Sequence, residues 1–148
     1  MDELDTRIIS LLQEDGRASN AGIAREVGVS EGTVRRRLKQ LIEEELIRVV
    51  ALLDHSKLGY ASEALVGVRV APDKVTEVAE RMGSLEEVNW VAETTGSFDI
   101  FAWTTLETSS DLGIFLRTKI GTIPGVQRTE TFVNLSVKKR WYGTALKS

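Results

Sequence analysis

Residues 19–41, SNAGIAREVGVSEGTVRRRLKQL, decide the fold. Either Ser19 or Asn20 can cap a first helix, since a short polar side chain there accepts from orphan backbone N–H groups. Ile23, Ala24 and Val27 then share one face at helical spacing. Gly28 follows directly, the residue expected where a helix ends in a left-handed backbone. Val29 is placed to plug the angle of the turn, and Ser30 caps a second, longer helix.

On that second helix Val34, Leu38 and Leu41 form an apolar stripe at i, i+4, i+7. Glu31, Gly32, Thr33, Arg35, Arg36, Lys39 and Gln40 face the other way. A helix that enters the major groove presents its first residues to base edges. Arg forks onto guanine, Gln onto adenine, and Thr touches the thymine methyl. Gly32 and Thr33 are small enough to let the helix end come close to the bases. A charged helix face is more often simply solvated. Here the small Ala24, the Gly turn four residues on and the capped second helix favour DNA. The candidate contacts are Ser30, Glu31, Gly32, Thr33, Arg35, Arg36, Arg37, Lys39 and Gln40. Arg17, beside the Asp15-Gly16 break, either reaches a phosphate or closes a loop salt bridge.

A chain of 148 residues allows one domain or two small ones. No apolar run is long enough to span a bilayer, and the acidic start MDELDTR is the wrong chemistry for a signal peptide, so a cytoplasmic protein is expected. Without cysteine there is no disulfide framework, thiolate metal site or thiol nucleophile, and the lone His55 builds no multi-histidine site. No P-loop, dinucleotide fingerprint, nucleophile elbow or paired acid/base motif appears, so neither catalysis nor a cofactor or metal is expected. The net charge of −3 argues against generic polyanion binding, and acids outnumber bases in the first fifty residues as well. DNA affinity must therefore come from arrangement. The Arg35, Arg36, Arg37, Lys39 cluster supplies it, against the acidic run Glu43, Glu44, Glu45, with dimeric or higher assembly adding strength.

In chain order, residues 2–14 read as an amphipathic helix with Leu4, Ile8, Leu11 and Leu12 on one face. Residues 46–53, aliphatic and β-branched, read as a strand or an extended hinge, a wing followed by a linker. Residues 54–60, DHSKLGY, mark a domain boundary. Then follow a strand at 63–71 with Ala64, Val66, Val68 and Val70 on one side, and a helix from Pro72-Asp73 to Gly83. Strands at 87–95 and 99–105 are joined by the Gly96-Ser97 turn. Thr108 or Ser109 caps a helix with Leu112, Phe115, Leu116 and Ile120 inward, and a last strand covers 126–137. The order βαββαβ is the ferredoxin-like arrangement. The fold class is thus α+β: an N-terminal, winged-helix-like helix-turn-helix at 1–50, a hinge at 51–61 and a ferredoxin-like domain at 62–148.

The third strand is apolar on both faces, with Ile100 and Ala102 on one and Phe101 and Trp103 on the other. An uncovered face of that kind needs a partner. Sheet-against-sheet assembly is expected, placing two helix-turn-helix units in one particle for half-sites about 34 Å apart.

Four stretches resemble the Lrp/AsnC family, the leucine-responsive or feast/famine regulators: LDTRIISLLQEDGRAS from Leu4, VGVSEGTVRRRLKQL from Val27, GSFD from Gly96 and IPGVQRTET from Ile123. The resemblance implies a sequence-specific, DNA-binding transcriptional regulator. It further implies homodimers assembling to a higher oligomer such as an octamer, and a small effector, typically an amino acid, that shifts assembly or DNA affinity. Ile42 stands where the family carries Glu, and Ser97 and Phe98 replace its common Asp and Tyr. Glu45 replaces a Gly, so the helix either runs on or the backbone there accepts strain.

The implied effector site is Gly96, Ser97, Phe98 and Asp99, with Thr129 and Thr131 on one face of the last strand. Backbone N–H groups of a Gly turn suit a carboxylate, Asp99 suits an α-ammonium, and the threonines offer hydroxyls. A plain hairpin with Asp99 capping backbone is the competing reading. Glu93 either selects a cationic side chain or is an exposed strand residue, and KKRWY at 138–142 is either a solvated strand end or a stacking platform. The function alternative is an assembly module of the same fold that acts through protein partners rather than DNA.

Overall fold

The computed structural model describes residues 1–139, Ser56 by its backbone alone, as two compact units, Met1–Leu52 and Leu53–Lys139. In the first unit, Asp2 and Asp5 start helix α1 (Glu3–Glu14) by capping each other. The Asp5 amide donates to the Asp2 carboxylate at 3.0 Å, and the Asp2 amide donates to that of Asp5 at 2.9 Å. Ser19, not Asn20, caps α2 (Asn20–Val27), its hydroxyl accepting from the Gly22 amide. Gly28 then turns the chain at φ 74°, where a Cβ is disfavoured.

Ser30 caps α3 (Glu31–Glu43) in the same way, accepting from Thr33. Ile8, Ile23, Ala24, Val27 and Val34 close the core beneath, with Leu4, Leu11, Leu12, Ala18 and Val29 packed round it. Each fully buried aliphatic side chain stabilises by roughly 1.5–3 kcal/mol. So small a unit has few of them, which gives its polar ties unusual weight.

Two alternatives left open by the sequence are decided here. Helix α3 does not run past Glu43. Glu45 adopts φ 55°, its amide donating to the Ile42 carbonyl and the Leu46 amide to that of Leu41, both at 3.0 Å. This is a glycine-type helix stop built on a glutamate, and the strain is accepted. Nor is there a wing: among the described residues the first unit holds no strand, and residues 47–54 carry no regular secondary structure. The strand alternative is not met, and the winged-helix comparison stops at the three helices.

The second unit follows the βαββαβ order: β1 (Ser62–Val70), α4 (Val75–Gly83), β2 (Val88–Glu93), β3 (Ile100–Leu106), α5 (Ser109–Phe115) and β4 (Val126–Val133). The strands form one antiparallel sheet in the order β2-β3-β1-β4. Thr108 caps α5, which widens into a π-helical turn at Leu116–Ile120. The last strand stops four residues short of the expected 137, and Leu135 beyond it is exposed. In the expected tail motif, residues 140–142 lie outside the described residues.

Alternation separates the sheet faces. Ala64, Val66, Val68, Val70, Ile100 and Ala102 are buried against Val78, Met82, Leu112, Phe115 and Ile120 of the helical layer. On the other face the register sets Leu65 beside Trp103 and Phe132, and Trp90 beside Trp103. Trp90 is 52% exposed and Phe132 44%, so this face stays apolar and open.

Candidate nucleic-acid interface and ligand loop

Helix α3 presents its cations in different ways, and the 3.6-residue turn decides which is free. Val34 and Leu41 point into the core, which turns Gly32, Arg35, Arg36, Lys39 and Gln40 outward, all exposed, with Thr33 half-buried. Ser30 and Thr33 share a hydroxyl contact of 2.8 Å that holds the first turn. Arg35 pairs with Glu31 at 2.6 Å and Lys39 with Glu43 at 3.6 Å, each one turn apart and solvated on both sides. Gln40 donates to Glu44 at 2.7 Å. Such exposed pairs are each worth only a few tenths of a kcal/mol, roughly 0.3–0.5, and yield readily to a phosphate. The Arg36 guanidinium makes no ion pair or hydrogen bond among the described residues.

A Cβ on Gly32 would meet only the Ser30 hydroxyl, at 3.9 Å, so the front of α3 is open to close approach. Arg17 is exposed; its backbone amide donates to Asp15, and its guanidinium forms no ion pair among the described residues, which removes the loop salt bridge. Sequence reading missed Arg25, an exposed cation in the last turn of α2 without an acidic partner among the described residues. Arg37 departs from the expected cluster. Its guanidinium turns to α1, with Nη2 at 2.8 Å from Asp2 and Nη1 at 3.4 Å from both Asp5 oxygens. Asp2 titrates below the usual aspartate value, chiefly through the Asp5 amide that donates to it and further through Arg37. The Asp-x-x-Asp spacing at residues 2 and 5 signals the capping box that holds the two acids, but nothing in the sequence marks Arg37 as the side chain that reaches them.

The loop between β2 and β3 is built tightly at one end and loosely at the other. Gly96 takes φ 106° and Ser97 is exposed. The Thr94 amide donates to the Asp99 carbonyl at 2.8 Å, and the Thr94 hydroxyl to that of Phe98 at 3.1 Å. Phe98 lies over Gly67, where a Cβ would come within 2.9 Å of its ring, and it meets Phe101 and Phe132 edge-on. Gly67, also missed in the sequence, is the gap that seats this ring. Asp99 takes the Val70 amide at 2.8 Å with one carboxylate oxygen and gives its own amide to Val68, close to the competing hairpin reading.

Thr129 and Thr131 do lie on one face of β4, both half-buried, in register with Val68 and Val66. That is the helix side of the sheet. Phe98 is on the other side, so within one chain the loop and the threonines do not form one pocket. Glu93, paired in register with Ile100, is exposed at the end of β2. Among the described residues no cluster of metal-ligating side chains forms, and no helix is long and apolar enough to cross a membrane.

Residues 1–42 match the AsnC-type helix-turn-helix domain, and residues 63–142 match the Lrp/AsnC ligand binding domain. An uncharacterized HTH-type transcriptional regulator of Pyrococcus furiosus is 46% identical over 143 residues, covering 96% of this chain and 97% of that protein. The HTH-type transcriptional regulator FL11 of Pyrococcus abyssi is 38% identical over 140 residues, covering 94% of this chain and 92% of that protein. Among solved structures, AsnC of E. coli superimposes with a TM-score of 0.88 at 26% identity, over 96% of this chain and 97% of that one. The complex of a Neisseria meningitidis transcriptional regulator with L-Met also gives 0.88, at 25% identity, over 99% of this chain and 96% of that one. By both matches and by these relatives, the chain belongs to the Lrp/AsnC family of DNA-binding transcriptional regulators.

Proposed function

We propose that the exposed face of α3 reads operator DNA, with Gly32 and Thr33 at the base edges, Arg36 and Gln40 as the forked contacts, and Arg17, Arg35 and Lys39 on phosphates. The observation that carries this reading is Arg36: an exposed guanidinium on a capped helix, with no partner among the described residues, beside an open glycine. Ser30 and Glu31 shape the helix start rather than contact bases, the former as cap and the latter as the partner of Arg35. Two such units come together when the open sheet face of one chain covers that of a second copy. The exposed Trp90 and Phe132 and the half-buried Leu65, Phe98, Phe101 and Trp103 favour that burial. Dimers joined this way are the building blocks of a larger, octameric particle working in the cytoplasm.

The second unit takes an amino acid. Supporting this are its match to a ligand-binding domain and the L-Met held by the Neisseria relative. The Gly96 and Ser97 amides, without an acceptor among the described residues, suit the ligand carboxylate, while Asp99 shapes the loop and Thr129 or Thr131 enters only from a neighbouring copy. The test is sedimentation of the full chain and its binding to selected genomic DNA, with and without L-methionine and then the other amino acids. A shift in particle size or in DNA affinity with one of them supports the reading. No shift with any of them overturns the amino-acid half, and DNA affinity insensitive to salt overturns the DNA half in favour of a protein-binding module.

A further inference from the structure

We infer that Arg37 is a positioning residue for DNA recognition: it fixes the roll of α3 on α1 and makes no phosphate contact. The inference rests on α3 being the helix that reads DNA. Arg37 sits between two exposed neighbours that it does not resemble. The side chains of Arg35 and Lys39 are 68% and 73% exposed, whereas that of Arg37 is 27% exposed and its Nε is buried without a hydrogen-bond partner. Its guanidinium spans 32 residues of sequence to reach Asp5, whose side chain is 6% exposed. Both acids are themselves held, because each carboxylate accepts the other residue's amide in the α1 capping box. The fork therefore grips a rigid target.

Apolar packing of Val34 and Leu41 is non-directional and leaves α3 free to roll a little in its seat. A roll of about 20° moves atoms at the rim of a helix by roughly 2 Å. That is enough to break a bidentate contact to a base. A planar guanidinium bonded to two carboxylates at fixed places on α1 removes this freedom, and a point charge does not. Charge neutralisation by Asp2 and Asp5 also leaves Arg37 with little to offer a phosphate.

The test compares the full chain with its Lys39→Gln, Arg37→Gln, Asp5→Asn and Asp2→Asn variants. Each is titrated at several salt concentrations onto a random-sequence duplex and onto a genomic fragment selected by the wild-type chain. Lys39→Gln, which removes a phosphate contact, should lower the salt slope by about one. Arg37→Gln should leave the slope unchanged while cutting affinity for the selected fragment about tenfold and flattening its preference over random DNA. Asp5→Asn gives the sharpest readout. Removing an acid strengthens binding if charge alone matters, but positioning requires weaker binding to the selected fragment and undiminished binding to random duplex.

A lower slope for Arg37→Gln overturns the proposal by showing direct contact. Unchanged preference in both variants, with only a lower melting temperature, overturns it by showing a merely stabilising role. Where either variant fails to fold, Asp2→Asn, which removes the half-exposed partner, carries the same comparison. A wild-type chain that binds neither duplex at low salt overturns the DNA reading itself, and this proposal with it.

Discussion

The carboxylate of Asp99 accepts the backbone amide of Val70 at 2.8 Å, one step beyond the last residue pair of the β1–β3 ladder. The Asp99 amide donates to Val68, so a single residue supplies both the last backbone bond and a side-chain substitute for the next. This frees Phe98 to leave the ladder and lie over Gly67, and it lets the loop open at Gly96.

Asp99→Ala leaves the Val70 amide without this acceptor and should cost about 1–3 kcal/mol, whereas Asp99→Asn, which keeps an acceptor, should cost less. Thermal melts of the two variants decide between roles. Full stability of Asp99→Ala combined with lost amino-acid binding would identify Asp99 as a ligand contact instead.

How much of this was legible in the sequence follows from the range of the forces involved. The Ser30 and Thr108 caps, the Gly28 turn and the buried stripe Ile23, Ala24, Val27 are set by residues within a few positions of each other and formed as read, whereas α4 starts at Val75 rather than at Pro72-Asp73 and has no side-chain cap. Strand alternation likewise gave Ala64, Val66, Val68 and Val70 their common face. The roles of Arg37 and Asp99 were not legible, because their partners lie 32 and 29 residues away in sequence. A lone polar residue carries no mark of which distant amide or carboxylate it will meet. Thr129 and Thr131 were rightly placed on one face, but which face depends on the strand register, and that is fixed only when the sheet assembles.

Glu45 sits at φ 55° in a position suited to glycine. Glu45→Gly should raise the stability of the N-terminal unit by about 0.5–1 kcal/mol, since relief of the left-handed strain outweighs the entropy of the freer unfolded chain. Chemical denaturation followed by helix signal checks the sign. A loss of stability would mean that the Glu45 side chain makes a compensating contact.

Gly32 offers a separation of stability from function. A Cβ there meets nothing closer than 3.9 Å, so Gly32→Ala should stabilise α3 by about 0.5–1 kcal/mol. The same methyl group stands where the front of α3 meets base edges, so DNA affinity should fall as the melting temperature rises. Titration of the variant onto selected DNA, beside its melt, reads both quantities.

Acid should loosen the tie between α1 and α3. Asp2 is depressed below its ordinary value, so its contribution to stability is present above that value and fades as pH falls through the lower, folded one. The N-terminal unit should therefore lose stability below about pH 4, and Asp2→Asn should remove part of that dependence. A pH series of melts for the two chains measures it; identical acid profiles would assign the loss to other carboxylates.

The most direct measurement is a footprint of the full chain on genomic fragments it selects, at moderate salt with excess random competitor, for the wild type and for Arg36→Ala. The account predicts protected patches recurring at helical-turn spacing for the wild type. In Arg36→Ala these should weaken strongly while particle size stays the same. A folded wild-type chain that protects no fragment, or an Arg36→Ala chain that protects them equally well, would contradict the claim that α3 reads DNA through its exposed face.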